Sequence, residues 1–283
     1  MLTLLLICNE PALAAHAHAA GVQRLFVDIE RQGKAERQGG KDTFISTHQL
    51  ADVAAVRAAV PTAELLLRVD PWGPETAHQI RQGVALGAQL IMLPMATHPA
   101  EVEAAAAVTR SLGMGLIPLV ETPAAFARLG RIAAIDGVAE VYLGLNDLHL
   151  GLGLDFLFEP VAAGLIDHGA AILRASGKPW GFGGIATLGG GDVPGELVLA
   201  EHVRLGSTRV ICSRAFTKGH KTLAAVQAAG VDIAGEITRL RAEEARLAAL
   251  PPAALTTLHA ELSTRTWAAA DRRRQHTPSV QAL

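Results

Sequence analysis

Lysine is scarce in this chain: there are five, Lys34, Lys41, Lys178, Lys218 and Lys221, and none falls in a stretch that reads as a strand. A Schiff-base enzyme on a strand-built fold wants a buried amine whose pKa is lowered by desolvation, so imine chemistry is disfavoured. Cysteine is scarcer, with only Cys8 and Cys212. Two cysteines make no disulfide framework, and both sit near the ends of apolar runs, as reduced, buried thiols do. No Cys/His cluster has zinc spacing, and no Gly-x-Ser-x-Gly elbow is present. Neither charge is in surplus, with 25 Lys and Arg against 27 Asp and Glu. That balance gives nucleic acid or an anionic membrane no reason to bind. The one basic cluster, Arg272-Arg-Arg274, lies in a polar segment expected to be a flexible tail over 272–283. Long apolar runs are missing as well. Met1–Cys8 opens like a secretion signal, but it is short, lacks a basic start and is broken by Asn9-Glu10-Pro11. It reads better as a first strand feeding a helix. No other segment approaches the ~20 apolar residues of a membrane span, and the expected location is the cytoplasm.

What the chain does have is alternation. Half of its 283 residues are hydrophobic, enough for a sizeable core. Apolar runs near 2–8, 23–28, 64–69, 89–93, 114–120, 139–144, 179–182 and 208–212 read as strands. Ala-rich stretches near 11–20, 49–59, 75–86, 99–112, 123–134, 157–175 and 194–205 read as helices. The middle strands begin near 64, 89, 114 and 139, a step of 25 residues. Eight such units predict an α/β fold, a (β/α)₈ TIM barrel over residues 1–220. A doubly wound open sheet is the competitor, but it usually needs fewer strands, and no Gly-rich phosphate fingerprint opens the first unit. Pro118, inside the fifth strand, calls for a bulge near the strand's end. Residues 221–271 add C-terminal helices, with Glu243, Glu244 and Arg246 on a polar face. They are more than one barrel needs and are expected to pack on it or on a neighbouring subunit.

Two acids end successive buried strands: Glu121 in Pro118-Leu-Val-Glu-Thr122, and Asp147 in Gly144-Leu-Asn-Asp-Leu148. A carboxylate there is costly unless a cation or hydrogen bonds compensate it. A pair of N-caps is one reading, since each acid precedes a helix. Two oxygen ligands at adjacent strand ends of a barrel make the other, a site for a hard divalent ion such as Mg²⁺.

Arg68 ends the third strand, either buried against Asp70 or another acid, or placed to recognise a substrate carboxylate or a developing enolate. Asp28 and Glu30 end the second strand, to ligate water on the metal or to pair with Arg31, Lys34 or Arg37. His48 opens the second helix after Ser46-Thr47 and is the candidate general base. His149 is a lesser ligand candidate, and His98 has only its loop position to recommend it. Trp72 is placed to wall the pocket or to pack. The long connections 29–48 and 183–193 belong to the C-terminal face, where barrel enzymes do chemistry.

Val27-Asp-Ile-Glu30, Leu67-Arg-Val-Asp-Pro71, Leu90-Ile-Met-Leu-Pro94, Pro118-Leu-Val-Glu-Thr122 and Gly144-Leu-Asn-Asp-Leu-His-Leu-Gly151 together resemble the HpcH/HpaI aldolase and citrate lyase β-subunit superfamily. The resemblance implies Mg²⁺ or Mn²⁺ on Glu121 and Asp147, an enolate stabilised by Arg68, and a substrate carboxylate on the backbone at Asn146 and Asp147. It also implies a homo-oligomer, trimer or hexamer, with exchanged C-terminal helices. Arg31 stands where one branch has a histidine and the other an aspartate, and Leu119 where the aldolases have a glutamine. The expected reaction is cleavage of a 4-hydroxy-2-oxo acid to pyruvate or a similar oxo acid plus an aldehyde. A lyase acting on a CoA thioester and a noncatalytic barrel are the alternatives.

Overall fold

The computed structural model describes residues 1–33 and 47–276. Lys34, Arg37 and Ser46, named above as pairing or capping candidates, lie outside them. Among the described residues, eight parallel strands close in sequence order into one barrel: β1 (Thr3–Ile7), β2 (Arg24–Asp28), β3 (Glu64–Arg68), β4 (Leu90–Leu93), β5 (Gly115–Val120), β6 (Val141–Leu143), β7 (Trp180–Ile185) and β8 (Arg209–Cys212). Closure by β1 against β8 pairs Leu6 with Cys212, so the cysteines reach the same mouth. Both thiols are free and buried, and burial pushes Cys8 up to about 11 and Cys212 to about 12.

Two apolar layers result from the alternation of side chains along each strand. Leu5, Phe26, Leu66, Met92, Ile117 and Tyr142 fill the barrel interior. Their neighbours face outward onto the helices, a continuous outer core that includes Leu4, Leu25, Leu67 and Ile91. The N-terminal end is closed by charge. Arg24, 1 % exposed, donates from Nη1 and Nη2 to Glu140 at 2.8 Å each, and from Nη2 to Glu64 at 2.9 Å. Arg209 binds Glu140 from the other side at 3.1 Å.

The ring of helices comprises α1 (Pro11–Ala19), α2 (Asp52–Ala59), α3 (Thr76–Ala85), α4 (Pro99–Ser111), α5 (Pro123–Phe126), α6 (Leu129–Ala133), α7 (Leu145–Gly151), α8 (Glu159–Ala162), α9 (Leu165–Ser176) and α10 (Gly195–Leu205). After a short 3₁₀ turn (Arg214–Thr217) come α11 (Leu223–Ala228), α12 (Ile233–Ala248) and α13 (Pro252–His276). The helices expected over 123–134 and 157–175 are each broken, and residues 221–248 hold two helices. Gly164 (φ 76°) divides α8 from α9, Gly230 (φ 63°) follows α11, and Ala127-Arg128 separates α5 from α6.

Pro118 is accommodated by the predicted irregularity, but on the partner. From Leu116↔Val138 to Leu119↔Tyr142, β5 advances 119 − 116 = 3 residues and the β6 side 142 − 138 = 4. Glu244 departs from its expected polar face: it is buried and accepts from Leu2 N–H at 2.5 Å.

The tail expectation is corrected as far as His276. Arg272 and Arg273 are helical and ion-paired with Asp192, and Arg274 with Asp155. Among the described residues no helix is long and apolar enough to cross a membrane.

Candidate active site at the C-terminal mouth of the barrel

A cavity of about 510 Å³ opens at the C-terminal ends of the strands, within the ~300–1,000 Å³ usual for small-molecule sites. It brings together Glu30, His48, Arg68, Glu121, Asn146 and Asp147. Residues from separate parts of the chain share one chamber because β2, β3, β5 and β6 end there.

Glu121 follows β5 directly and is 4 % exposed. Its Oε1 accepts the N–H of Met95 at 3.0 Å. Met95 holds φ 56°, a left-handed conformation that a non-glycine residue adopts at a cost of roughly 1 kcal/mol or more, so the donor is held in place by the surrounding fold. Burial raises the Glu121 carboxyl well above its ordinary range, and the charges of Asp147 and Glu30 raise it further. Arg68 and the Met95 N–H pull in the opposite direction without reversing this. The capping alternative does not hold for Glu121: Thr122 caps α5, accepting from Ala125 N–H at 3.0 Å. Asp147 lies in the first turn of α7 rather than at the strand end, and Gly144 occupies that helix's cap position. Gly144 is required there for space. A Cβ on it would stand 2.7 Å from both Cβ and Oε2 of Glu121.

Arg68 is held flat by Asp28, with Nε to Oδ1 at 2.8 Å and Nη2 to Oδ2 at 2.7 Å. Glu30 Oε2 lies 3.4 Å from Nε, and the guanidinium sits over the Phe26 ring at 5.4 Å. Burial alone would lower the Arg68 pKa, but Asp28, Glu30 and Glu121 raise it by more, so the charge is secure. Of the partners expected for these groups, the structure selects some and not others. Arg68 pairs with Asp28 and Glu30, not Asp70, because β2 and β3 are in register at Asp28↔Arg68. Asp70 instead accepts the N–H groups of Arg31 and Gln32, at 2.7 and 3.1 Å, and pins the chain leaving β2. The Arg31 side chain reaches the carbonyl of His48, not the two acids.

His48 lines the cavity, but its Nδ1 accepts the backbone N–H of Asp28 at 3.1 Å. The neutral ring therefore carries its proton on Nε2. This removes it as a simple general base. Trp72 does not wall the cavity. The turn closed by Thr76 Oγ1 on the Pro71 carbonyl, at 2.7 Å, seats the indole against the outer core. His149 is buried with Nδ1 on the Leu145 carbonyl, and His98 caps α4.

Among the described residues no group of three or more His, Cys, Asp or Glu forms a metal cage. The pair Glu121 and Asp147 nevertheless suits a divalent ion. Its mutual repulsion is what a cation relieves, and Mg²⁺ binds through one or two carboxylates while water or substrate fills its other positions. Sequence reasoning missed Tyr142, whose hydroxyl bridges the Gly183 carbonyl (2.8 Å) and the Ile211 N–H (2.9 Å) at the chamber floor. It also missed Arg214, His220 and Lys221, which line the cavity after β8. Their signal was position alone, just past the last strand on the face that carries the chemistry.

Fold and site define a parallel eight-stranded barrel with a paired-acid centre at its mouth. The HpcH/HpaI aldolase/citrate lyase family model matches residues 2–157, more than half of the chain, and the chain belongs to that family. Its fold is shared by a family member from Burkholderia cenocepacia J2315, at 17 % identity over 87 % of this chain and 95 % of that one, TM-score 0.59. An HpcH/HpaI aldolase from Desulfitobacterium hafniense DCB-2 gives 14 %, 88 %, 94 % and 0.58. The citrate lyase β subunit from M. tuberculosis, complexed with oxaloacetate and magnesium, gives 22 %, 75 %, 91 % and 0.51. No curated protein sequence matches this chain.

Proposed function

We propose that the protein is a divalent-metal-dependent carbon–carbon lyase that cleaves a 4-hydroxy-2-oxo acid to pyruvate, or a similar oxo acid, and an aldehyde. The observation that carries this reading is Glu121, Asp147 and Arg68 lining one cavity, with the Glu121 carboxyl raised first by burial and then by the Asp147 charge. The citrate lyase β subunit that shares the fold was captured with magnesium and an oxo acid, in keeping with this chemistry.

Glu121 and Asp147 would hold Mg²⁺ or Mn²⁺, which when bound polarises the oxo acid's ketone as a Lewis acid. Asn146 and Asp147 lie in the first turn of α7, where backbone N–H groups lack intrahelical partners and can receive the substrate carboxylate. Cleavage removes the proton of the 4-hydroxyl and turns that carbon into the aldehyde. The electron pair of the broken carbon–carbon bond passes into the pyruvate enolate, which then takes a proton on carbon. Asp28 grips Nε and Nη2 of Arg68, leaving the Nη1 side to meet the enolate oxygen as its charge grows. His48, with Nδ1 occupied, lines the chamber and helps to orient the substrate, and the hydroxyl proton leaves to water.

Oxaloacetate with and without Mg²⁺ tests the proposal, since enolate stabilisation also releases its carboxyl as carbon dioxide. Magnesium-dependent pyruvate formation is expected. Glu121→Gln and Asp147→Asn should each lower it by roughly a hundredfold or more, as loss of several kcal/mol of charge stabilisation requires. Turnover indifferent to chelator, or none with any oxo acid, would rule the reading out.

A further inference from the structure

The chamber divides along the ring of strands. Glu30, Arg68, Glu121 and Asp147 reach it from the ends of β2, β3, β5 and β6. The other arc of the closed barrel, β7, β8 and β1, supplies hydrocarbon instead. Val193 and Val198 line it after β7, Ile211 from β8, and Ile7 and Leu13 from β1 and α1. Phe156 and Phe158 join them from the segment after α7, their rings in edge contact at 5.6 Å. Both are buried, and the Arg273 guanidinium over the Phe156 ring closes that wall from outside. Cys8 and Cys212 lie on the same arc, and burial keeps their thiols neutral. A neutral buried thiol behaves as a small hydrophobe.

Polar groups on this arc are engaged with the protein itself. Asn9 donates to Asp52 at 2.7 Å, Ser213 Oγ accepts the Ala215 N–H at 3.3 Å, and Thr217 Oγ1 donates to the Arg214 carbonyl at 3.4 Å. Asp192 is ion-paired with Arg272 and Arg273. Arg214 and Lys221 are exposed at the rim and have interactions of their own, and His220 stands half-buried beside them.

We propose that the aldehyde half of the substrate carries an uncharged hydrocarbon tail, which lies along the arc of β7, β8 and β1 while the oxo-acid half occupies the charged arc. The inference rests on the lyase reading for the reaction and adds the substrate class. Methylenes moved from water onto these walls gain free energy in proportion to the area covered. A carboxylate or a row of hydroxyls placed there would lose its water without finding matched partners. A three-carbon oxo acid also fills only a fraction of about 510 Å³, which leaves the apolar arc for the rest of the molecule.

Straight-chain 2-oxo acids without a 4-hydroxyl cannot be cleaved, so calorimetry with them and Mg²⁺ reads the tail site without turnover. Affinity should rise from 2-oxobutanoate through 2-oxohexanoate to 2-oxooctanoate, by roughly two- to fourfold per methylene. 2-Oxoadipate, which ends in a second carboxylate, should bind at least about tenfold more weakly than 2-oxohexanoate. In the aldol direction the pyruvate enolate carbon adds to the carbonyl of hexanal to give 4-hydroxy-2-oxononanoate. Its kcat/KM should exceed that with glyceraldehyde by about tenfold or more, a ratio that collapses in Ile7→Thr/Val193→Thr, which keeps both side chains β-branched but adds hydroxyls. Circular dichroism melting establishes that this variant is folded, and Ala186→Leu, which fills part of the arc, should flatten the chain-length series independently. The inference is overturned if affinity is flat or falls with chain length, if 2-oxoadipate binds as tightly as 2-oxohexanoate, or if both folded variants keep the wild-type preference. Failure of the lyase reading is separate: oxaloacetate would be untouched while the chain-length series persisted.

Discussion

Glu121 is a carboxyl that the fold makes hard to ionise, and that fixes the sign of a measurable pH effect. In the folded chain its pKa lies well above the ordinary glutamate value, by burial first and the Asp147 charge second. The unfolded chain, without those neighbours, releases the proton earlier. Wild-type stability without added metal should therefore fall as pH rises from about 4.5 toward the folded value. Glu121→Gln should remove that slope, melt higher than wild type at neutral pH, and no longer gain from MgCl₂. Thermal melts at acid and neutral pH, with and without the ion, check all three. At the same scale, His48→Gln should lower kcat/KM by roughly ten- to a hundredfold through lost orientation. A pH profile should show no histidine-type acid limb in wild type for the variant to abolish. Such a limb would restore the base role that the Asp28 N–H removes.

At the scale of elements, Gly144 joins β6 to α7 and leaves room for Glu121. Its φ of −86° is open to alanine, so Gly144→Ala leaves the backbone unstrained and crowds chiefly Glu121, with Leu119 Cδ1 next at 3.1 Å. Magnesium affinity measured by calorimetry should drop about tenfold or more, with a modest change in melting temperature. The last turn of α13 fastens two mouth segments, through Arg272 and Arg273 on Asp192 and Arg274 on Asp155. Arg273 also lies 4.1 Å from the centre of the Phe156 ring. Exposed pairs contribute ~0.2–1 kcal/mol each, so replacing all three by glutamine should raise protease cleavage within 183–194 a few-fold. The strands were legible because strands buried on both faces must be continuous apolar runs. The helix breaks at Gly164 and Gly230 were not, because glycine occurs in too many settings to announce a left-handed turn. Asp147 read as a strand end because α7 begins only four residues after Val141.

For the whole molecule, stability and chemistry occupy opposite ends of one barrel. Glu140 is shared by Arg24 and Arg209 at the N-terminal end, and these guanidinium groups hold its carboxyl below the usual range against the effect of burial. A lowered pKa gives stability that is present above the ordinary glutamate range and lost as pH falls through the folded value. Glu140→Gln would leave Arg24 buried against Glu64 alone, and should cost about 3–5 kcal/mol in urea unfolding while leaving kcat for oxaloacetate unchanged. The sequence by itself determined the barrel, its eight strands, the adjacency of Glu121 and Asp147 and the place of Arg68 at the mouth. Strand order and the C-terminal-face rule are properties of chain direction and period, which a linear text carries. Tertiary structure decided that Asp28 is the acid that holds Arg68, that His48 Nδ1 accepts a backbone N–H, that Trp72 turns away, and that Arg214, His220 and Lys221 line the mouth after β8. Those outcomes depend on register, on rotamer and on which backbone group fills a lone pair, and only closing the barrel brings the groups involved within reach of one another.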